Sequence, residues 1–220
     1  MDVKKIIIIG SGGHASVIID AVEKEKKYSI YGIIDPVRPV NTIIYGYRVI
    51  GTESVLPTIM KDVHGGILAI GDNWNRKKTA EAIRTLVPGF TFVSVVHPKA
   101  CISSNVKIGD GTIVMAGTVV NRNAIIGEHC ILNTNSSVDH DCILGDFVSI
   151  APGVVLGGNV KVGNSTAVSL GARVIHSVSV GEHTVIGAGS TVVHSIDSYC
   201  VAYGTPAKKV RSRKPEDGYL

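Results

Sequence analysis

The chain reads as a small α/β layer of Rossmann type followed by an all-β parallel β-helix built from hexapeptide repeats. From Val96 to Val192 every sixth residue is Val, Ile or Leu, seventeen positions without interruption. A period of six fits neither the 3.6 of a helix nor the 2 of a strand, and it is the signature of a parallel β-helix. The fourth residue after each anchor is Ala, Ser, Thr, Cys or Val in sixteen of the seventeen hexads, Ile196 being the exception. Large and small interior positions therefore alternate. Glycine follows the anchor at Gly109, Gly127, Gly145, Gly163 and Gly181, eighteen residues apart, with Asp110, Glu128, Asp146, Asn164 and Glu182 next in line. Three hexads thus close one triangular coil, and the run supplies about five to six coils stacked at roughly the 4.8 Å spacing of strands in a sheet.

The elements before the repeats follow from other signals. Residues 6–9 are four isoleucines, a buried-strand pattern, and Gly10-Ser11-Gly12-Gly13-His14-Ala15 comes next, ahead of a helical stretch over 16–26. The turn fits G-x-G-x-x-A, in which missing side chains and a helix N-terminus let backbone N–H groups approach a phosphate. Residues 29–34 form a second strand ending at Asp35, where an acid is placed to meet a ribose or a base; residues 67–70 form a third, ending in Gly71-Asp72-Asn73 before a helix over 75–86. In an open α/β sheet the ligand crevice lies at the carboxyl ends of the strands, so Gly12, Gly13, His14, Asp35 and Gly71 converge there. With fewer than 100 residues before the repeats, there is room for a mononucleotide half and not for a full dinucleotide domain. The expected ligand is a nucleotide diphosphate; the alternative is a turn that serves packing alone.

The hexad register puts the boundary near residue 95, giving an α/β domain over 1–95, a β-helix over 96–200 and a closing segment with a tail over 201–220. The net charge is +4, and the basic residues Lys208, Lys209, Arg211, Arg213 and Lys214 crowd the end, as a solvated tail does. Nucleic acid is not an expected partner. Residues 1–5 lead into only four isoleucines and no apolar stretch approaches a membrane span, so a cytoplasmic location with no membrane contact is expected. Cys101, Cys130, Cys142 and Cys200 show no metal-ligand spacing and no metal is expected; Cys130 and Cys142 occupy small interior slots, which points to packing.

The small α/β domain, the turn at Gly10, Gly12, Gly13 and His14, and the coil segment Val138-Asp139-His140-Asp141-Cys142 together resemble the sugar O- and N-acetyltransferases of the bacterial sialic acid, bacillosamine and perosamine pathways. The closing Gly204-Thr205-Pro206-Ala207-Lys208 resembles the ending of many hexapeptide acyltransferases. The resemblance covers nearly the whole chain, and within the family it is nearest to the nucleotide-sugar 4-amino N-acetyltransferases, trimers that use acetyl-CoA. It implies a left-handed helix, an exception to the right-handed rule for parallel crossovers. It also implies that His140 is the general base, that Asp141 raises its basicity, and that the backbone N–H of Gly158 stabilises the oxyanion. An imidazole suits this step, because the attacking amine must lose a proton near neutral pH. Gly158 is eighteen residues after His140, on the same corner one coil on.

Asn133 matches a family position near the sugar, and Gly12, Gly13, His14, Asp35 and Gly71 match positions that hold the nucleotide. Ser149, Leu170 and Ala188 match acetyl-CoA contacts in a groove between neighbouring β-helices. Two departures stand out: Ser149 replaces a histidine of some relatives, and Asp35-Pro36 replaces a pair of acids, with proline offering no N–H. Other readings are a sialic-acid-type sugar O-acetyltransferase and a non-catalytic β-helix scaffold. A zinc-dependent carbonic anhydrase of the same fold would need a histidine pair five apart, whereas His129 and His140 are eleven apart and His176 and His183 seven. His176 and His194 share the column of His140 and read as surface residues.

Overall fold

Strand β1 (Lys4–Ile9) buries all four of its isoleucines because apolar layers cover both of its faces. Ile6 and Ile8 pack with Ala15, Ile18 and Val22 of helix α1 (Gly13–Glu25), and Ile7 and Ile9 belong to a second core shared with distant parts of the chain. Strand β2 (Tyr28–Ile34) pairs parallel to β1. A hairpin of β3 (Ile43–Ile44) and β4 (Tyr47–Gly51) follows, turned by Tyr45 and Gly46, both at positive φ. After the short helix α2 (Leu56–Ile59), strand β5 (Gly65–Leu68) returns beside β1, and helix α3 (Asn73–Leu86) completes the second core through Ala80 and Ile83. The sheet order is β3-β4-β2-β1-β5. The computed structural model describes residues 3–218.

The remainder is a left-handed β-helix of two-residue strands. Each strand pairs in parallel with those eighteen residues before and after it, as Val138 does with Val120 and Leu156. Three flat sheets result. The first face holds Ile131–Leu132, Ser149–Ile150, Ala167–Val168 and Val185–Ile186; the second holds Ser137–Val138 and Val155–Leu156; the third holds Ile143–Leu144 and Lys161–Val162. The anchors from Val114 to Val192 all point inward and are buried, and so are Cys130 and Cys142, whose thiols donate to the Gly145 and Gly157 carbonyls.

The turns repeat as strictly as the strands. Without exception, the third residue after the anchor has positive φ from Asn105 through Asp141 to Gly189. The eighteen-residue glycine column has a steric cause: a Cβ on Gly109 would stand 2.6 Å from the Gly127 carbonyl carbon, and one on Gly127 the same distance from that of Gly145. The last coil is closed by strand Cys200–Gly204, parallel to Val185–Ile186 and antiparallel to Ala207–Ser212.

The α/β layer rests on the first face. Arg76 of α3 is 1% exposed, donating to the carbonyls of His129 and Phe147 at 2.9 and 3.0 Å and to Ser149 Oγ at 3.1 Å. The His129 ring stacks on Phe147 at 4.9 Å and meets Phe92 edge-on at 4.6 Å. Burial pushes the His129 imidazole down to about 3, helped by the Arg84 and Arg76 charges, so the ring packs as a neutral aromatic. Among the described residues no helix is long and apolar enough to cross a membrane.

Candidate active site

Where the α/β layer overhangs the first face and its turns toward the second, a cleft of about 670 Å³ opens. Six of the residues singled out from the sequence line it together: His14, Gly71, Asn133, Ser149, Leu170 and Ala188. Its floor is apolar, formed by Ile131, Ala167 and Val185, outward-facing residues of the first face.

Gly12 caps α1 in an extended conformation, and a Cβ on Gly12 or Gly13 would meet nothing within 4 Å, so the helix N-terminus faces open space that an anion can enter. His14, in the first turn, has its imidazole pushed down to about 4 by burial and then by the Arg76 charge. It is neutral at physiological pH, and its buried Nε2 has no hydrogen-bond partner among the described residues. The Gly71 carbonyl accepts from Arg76 Nη1 at 2.7 Å. Asn133 Oδ1 accepts from the Thr134 N–H at 2.8 Å.

Two predicted residues turn inward to the protein. Ser149 Oγ donates to Asn73 Oδ1 at 2.5 Å and accepts from Arg76, so its proton is committed to the cleft wall. Asp35 lies outside the cleft lining. Its Oδ2 accepts from the N–H and hydroxyl of Ser11 at 2.9 and 2.6 Å, and its Oδ1 from the N–H groups of Val37 and Arg38 at 2.8 and 3.1 Å. Against burial, which favours the neutral acid, these bonds hold its carboxyl below the usual range.

The His140 corner is built differently. Asp141 sits in the left-handed region at φ 58, and its Oδ2 lies 2.8 Å from His140 Nδ1. Asn123 Nδ2 donates to the other oxygen at 3.0 Å; Asp139 Oδ1 accepts from the His140 N–H and from Asn121 Nδ2, each at 2.8 Å. The hydrogen bond to Asp141 raises the His140 pKa, and Asp141 is lowered in return. With Nδ1–H donating to the carboxylate, Nε2 is the free acceptor.

That nitrogen faces Gly158, where a Cβ would stand 2.5 Å from it. The Gly158 N–H has no acceptor among the described residues, and its neighbours explain why. The equivalent amides of Thr134 and His140 are taken by the side chains that precede them, Asn133 and Asp139. The residue before Gly158 is Gly157, which has no side chain to offer.

Within one chain, His140, Asp141 and Gly158 stand at the corner between the second and third faces, whereas the cleft opens on the first face and its corner with the second. The second face separates the two groups. Sequence reasoning missed Asn73 and Arg76, and also the three side chains that hold the His140 pair. Asn121 and Asp139, like Asn123 and Asp141, are eighteen apart, so the coil period was a signal for them. Arg76 carries no such signal, since an arginine in an amphipathic helix reads as surface. His176 and His194 are exposed, as expected.

Comparison with known proteins gives this geometry a family. A profile described as the PglD N-terminal domain matches residues 5–83, and six repeats of the bacterial transferase hexapeptide match residues 123–158. A crystal structure of a perosamine N-acetyltransferase variant from Caulobacter crescentus, in complex with CoA and GDP-perosamine, is 36% identical over 96% of this chain and 99% of that one, with a TM-score of 0.88. The chain belongs to the hexapeptide-repeat sugar N-acetyltransferases. A second member of this acetyltransferase family, the acetyltransferase domain of PglB from Neisseria gonorrhoeae FA1090 in complex with acetyl coenzyme A, is 32% identical over 95% of this chain and 100% of that one, with a TM-score of 0.88. The UDP-N-acetylbacillosamine N-acetyltransferase of Bacillus subtilis (strain 168) is 31% identical over 121 residues, 51% of this chain and 52% of that protein. The match thus spans about half the length of that curated relative. The family is the one its motifs implied.

Proposed function

We propose that this protein transfers the acetyl group of acetyl-CoA to the 4-amino group of a nucleotide-linked amino sugar, acting as a homotrimer in the cytoplasm. The observation that carries this reading is the His140–Asp141 pair set against Gly158, an imidazole whose Nε2 stands beside a turn amide with no acceptor among the described residues. The sugar amine attacks the thioester carbonyl directly, and no covalent enzyme intermediate is needed. The Gly158 N–H donates to the oxygen as its negative charge develops. His140 Nε2 takes the proton the nitrogen loses, Asp141 stabilises the resulting imidazolium, and the proton passes to the departing thiolate as the C–S bond breaks.

The two segments divide the work. In residues 1–95 the open turn at Gly12 and Gly13 holds the diphosphate at the α1 N-terminus, His14 and Gly71 border the sugar, and Asp35 organises the loop through its bonds to Ser11, Val37 and Arg38. In residues 96–200 Leu170 and Ala188 line the apolar cleft for the pantetheine arm, with Ser149 fixing its wall and Asn133 reaching the sugar; residues 201–220 close the coil. The separation of His140 from the cleft supports the trimer, because packing one chain's His140 corner against its neighbour's cleft makes a whole site from two halves. Ile125, Ile143 and Val155, on the outer faces of the prism, are more than 40% exposed, as surfaces that meet another copy are. The relatives support a histidine in the proton transfer: Caulobacter variants with one histidine replaced by asparagine or alanine hold CoA and GDP-perosamine together. The cytoplasm is where acetyl-CoA and nucleotide sugars are available.

The test is thiol release from acetyl-CoA with a panel of GDP-, UDP- and dTDP-linked 4-amino sugars beside a sialic acid. Release with a nucleotide amino sugar is the expected result. Release with the sialic acid alone would make this an O-acetyltransferase, and silence across the panel would overturn the reading.

A further inference from the structure

His140 stands between two acids of one turn, and the proposed reaction uses only one of them. Asp139 directly follows the second-face strand Ser137–Val138, and Asp141 leads toward the third-face strand Ile143–Leu144. Asp141 commits both of its oxygens, one to His140 Nδ1 and the other to Asn123 Nδ2. Asp139 commits one. Its Oδ1 accepts from the His140 N–H and from Asn121 Nδ2, each at 2.8 Å. Its Oδ2 has no hydrogen bond, and the carboxylate pairs with no lysine or arginine among the described residues. The bonds from Asn121 and the His140 N–H hold the Asp139 carboxyl below the usual range, so the open oxygen belongs to an ionised group. Its charge reaches the His140 ring, whose protonated form it favours.

A primary amine that attacks a thioester has one lone pair and two N–H bonds. The lone pair is aimed at the carbonyl only when both hydrogens are held elsewhere, and orientation of this kind is a large part of what a site contributes to the rate. His140 Nε2 accepts one hydrogen. We propose that Asp139 Oδ2 accepts the other, which makes Asp139 a second catalytic carboxylate that orients the sugar amine and selects an amine over a hydroxyl.

As the C–N bond forms, the nitrogen becomes positively charged. His140 takes one of its hydrogens as a proton and delivers it to the thiolate released when the C–S bond breaks. The hydrogen on Asp139 is never transferred; it remains as the N–H of the product amide. A hydroxyl brings a single hydrogen. With that hydrogen on His140, an oxygen lone pair faces the Asp139 carboxylate, so the contact that favours the amine repels the alcohol. This inference rests on the acetyl-transfer reading given above, and it assigns the residue that makes the acceptor an amine.

Asp139→Asn tests it, and the corner itself fixes how the new side chain lies. The His140 N–H and Asn121 Nδ2 are both donors, so the amide oxygen takes the place of Oδ1. The NH2 group then replaces Oδ2, a donor where the amine needs an acceptor. Calorimetric titration with GDP-, UDP- and dTDP-linked 4-amino sugars and their 4-hydroxy counterparts, each with CoA present, reads the contact without turnover. The expected result is wild type binding the amine at least about ten-fold more tightly than the alcohol, and Asp139→Asn losing that preference while its acetyl-CoA affinity and melting temperature hold. In kinetics on the pH plateau, where a changed His140 pKa has no effect, kcat with the amine should fall by about ten-fold or more. Equal binding of amine and alcohol by the wild type, or a preference that survives Asp139→Asn, would overturn it. The two readings fail separately. An Asp139-dependent preference for the amine with no acetyl transfer to any 4-amino sugar removes the proposed activity alone. Transfer to a 4-amino sugar by Asp139→Asn at the wild-type rate removes the role of Asp139 alone.

Discussion

The imidazole of His140 occupies the space a side chain would fill on Gly158, whose Cβ would stand 2.5 Å from Nε2 and 2.6 Å from Cε1. The two residues are eighteen apart, so the coil repeat itself brings imidazole and amide together. Gly158→Ala would push the ring off its position and Gly158→Val would push it further. Turnover should fall at least ten-fold in the alanine variant and further in the valine variant, while the melting temperature changes little at this turn. Steady-state kinetics beside a melting curve check this, and normal activity in a folded Gly158→Val would remove Gly158 from the reaction.

Replacing the proposed base is the sharper change. His140→Ala should lower kcat by roughly 10²-fold or more, the usual scale for a lost general base, with little effect on acetyl-CoA binding. The ring projects from a corner and supports no core packing, so the fold should survive. Unchanged turnover would take His140 out of the mechanism.

The pH profile reports the pair. In the proposed reaction His140 works as neutral imidazole, and the hydrogen bond to Asp141 raises its pKa above the ordinary histidine value, so activity should rise as pH climbs through that raised pKa. Asp141→Asn removes the carboxylate; the acidic limb of kcat/KM should move to lower pH while the plateau rate drops. A limb that stays in place would show that another group sets it.

Arg76 joins the α/β layer to the prism through bonds to the carbonyls of Ile70, Gly71, His129 and Phe147 and to the side chains of Asn73 and Ser149. Arg76→Met should cost about 3 kcal/mol or more, because several buried acceptors lose their donor at once. Its charge also holds His14 down, so in a folded variant the His14 imidazole should titrate at higher pH. Chemical denaturation and an NMR titration of His14 measure the two effects.

Most of the prism was legible because a two-residue strand followed by a four-residue turn leaves nothing but side-chain size to vary, and that variation is periodic. The α/β layer was harder. The expected first helix begins at residue 16, yet α1 starts at Gly13, since Gly12 already takes the extended cap conformation. The third strand was expected over 67–70 and is Gly65–Leu68; Ala69 still bonds Ile9 O but the chain then leaves the sheet. The β3–β4 hairpin was missed although residues 43–50 are rich in Ile, Tyr and Val, because its first strand is only two residues long and its turn is Tyr45-Gly46 and not one of the usual turn pairs. Arg76 and Asn73 were illegible because their partners on the prism, the His129 carbonyl and the Ser149 hydroxyl, lie more than fifty residues away in sequence.

The placement of His140 and the cleft on different corners of one prism has a genetic consequence. On the proposed mechanism two variants, His140→Ala and a cleft-filling Ala188→Trp, are defective in different halves of the site. If the chain forms the proposed trimer, the two expressed together assemble mixed rings in which an intact corner of one product meets an intact cleft of the other. Random mixing restores roughly a quarter of the sites. Recovery of activity from two dead parents would make the subunit boundary part of the active centre, and heterozygosity would then be read directly as enzyme activity.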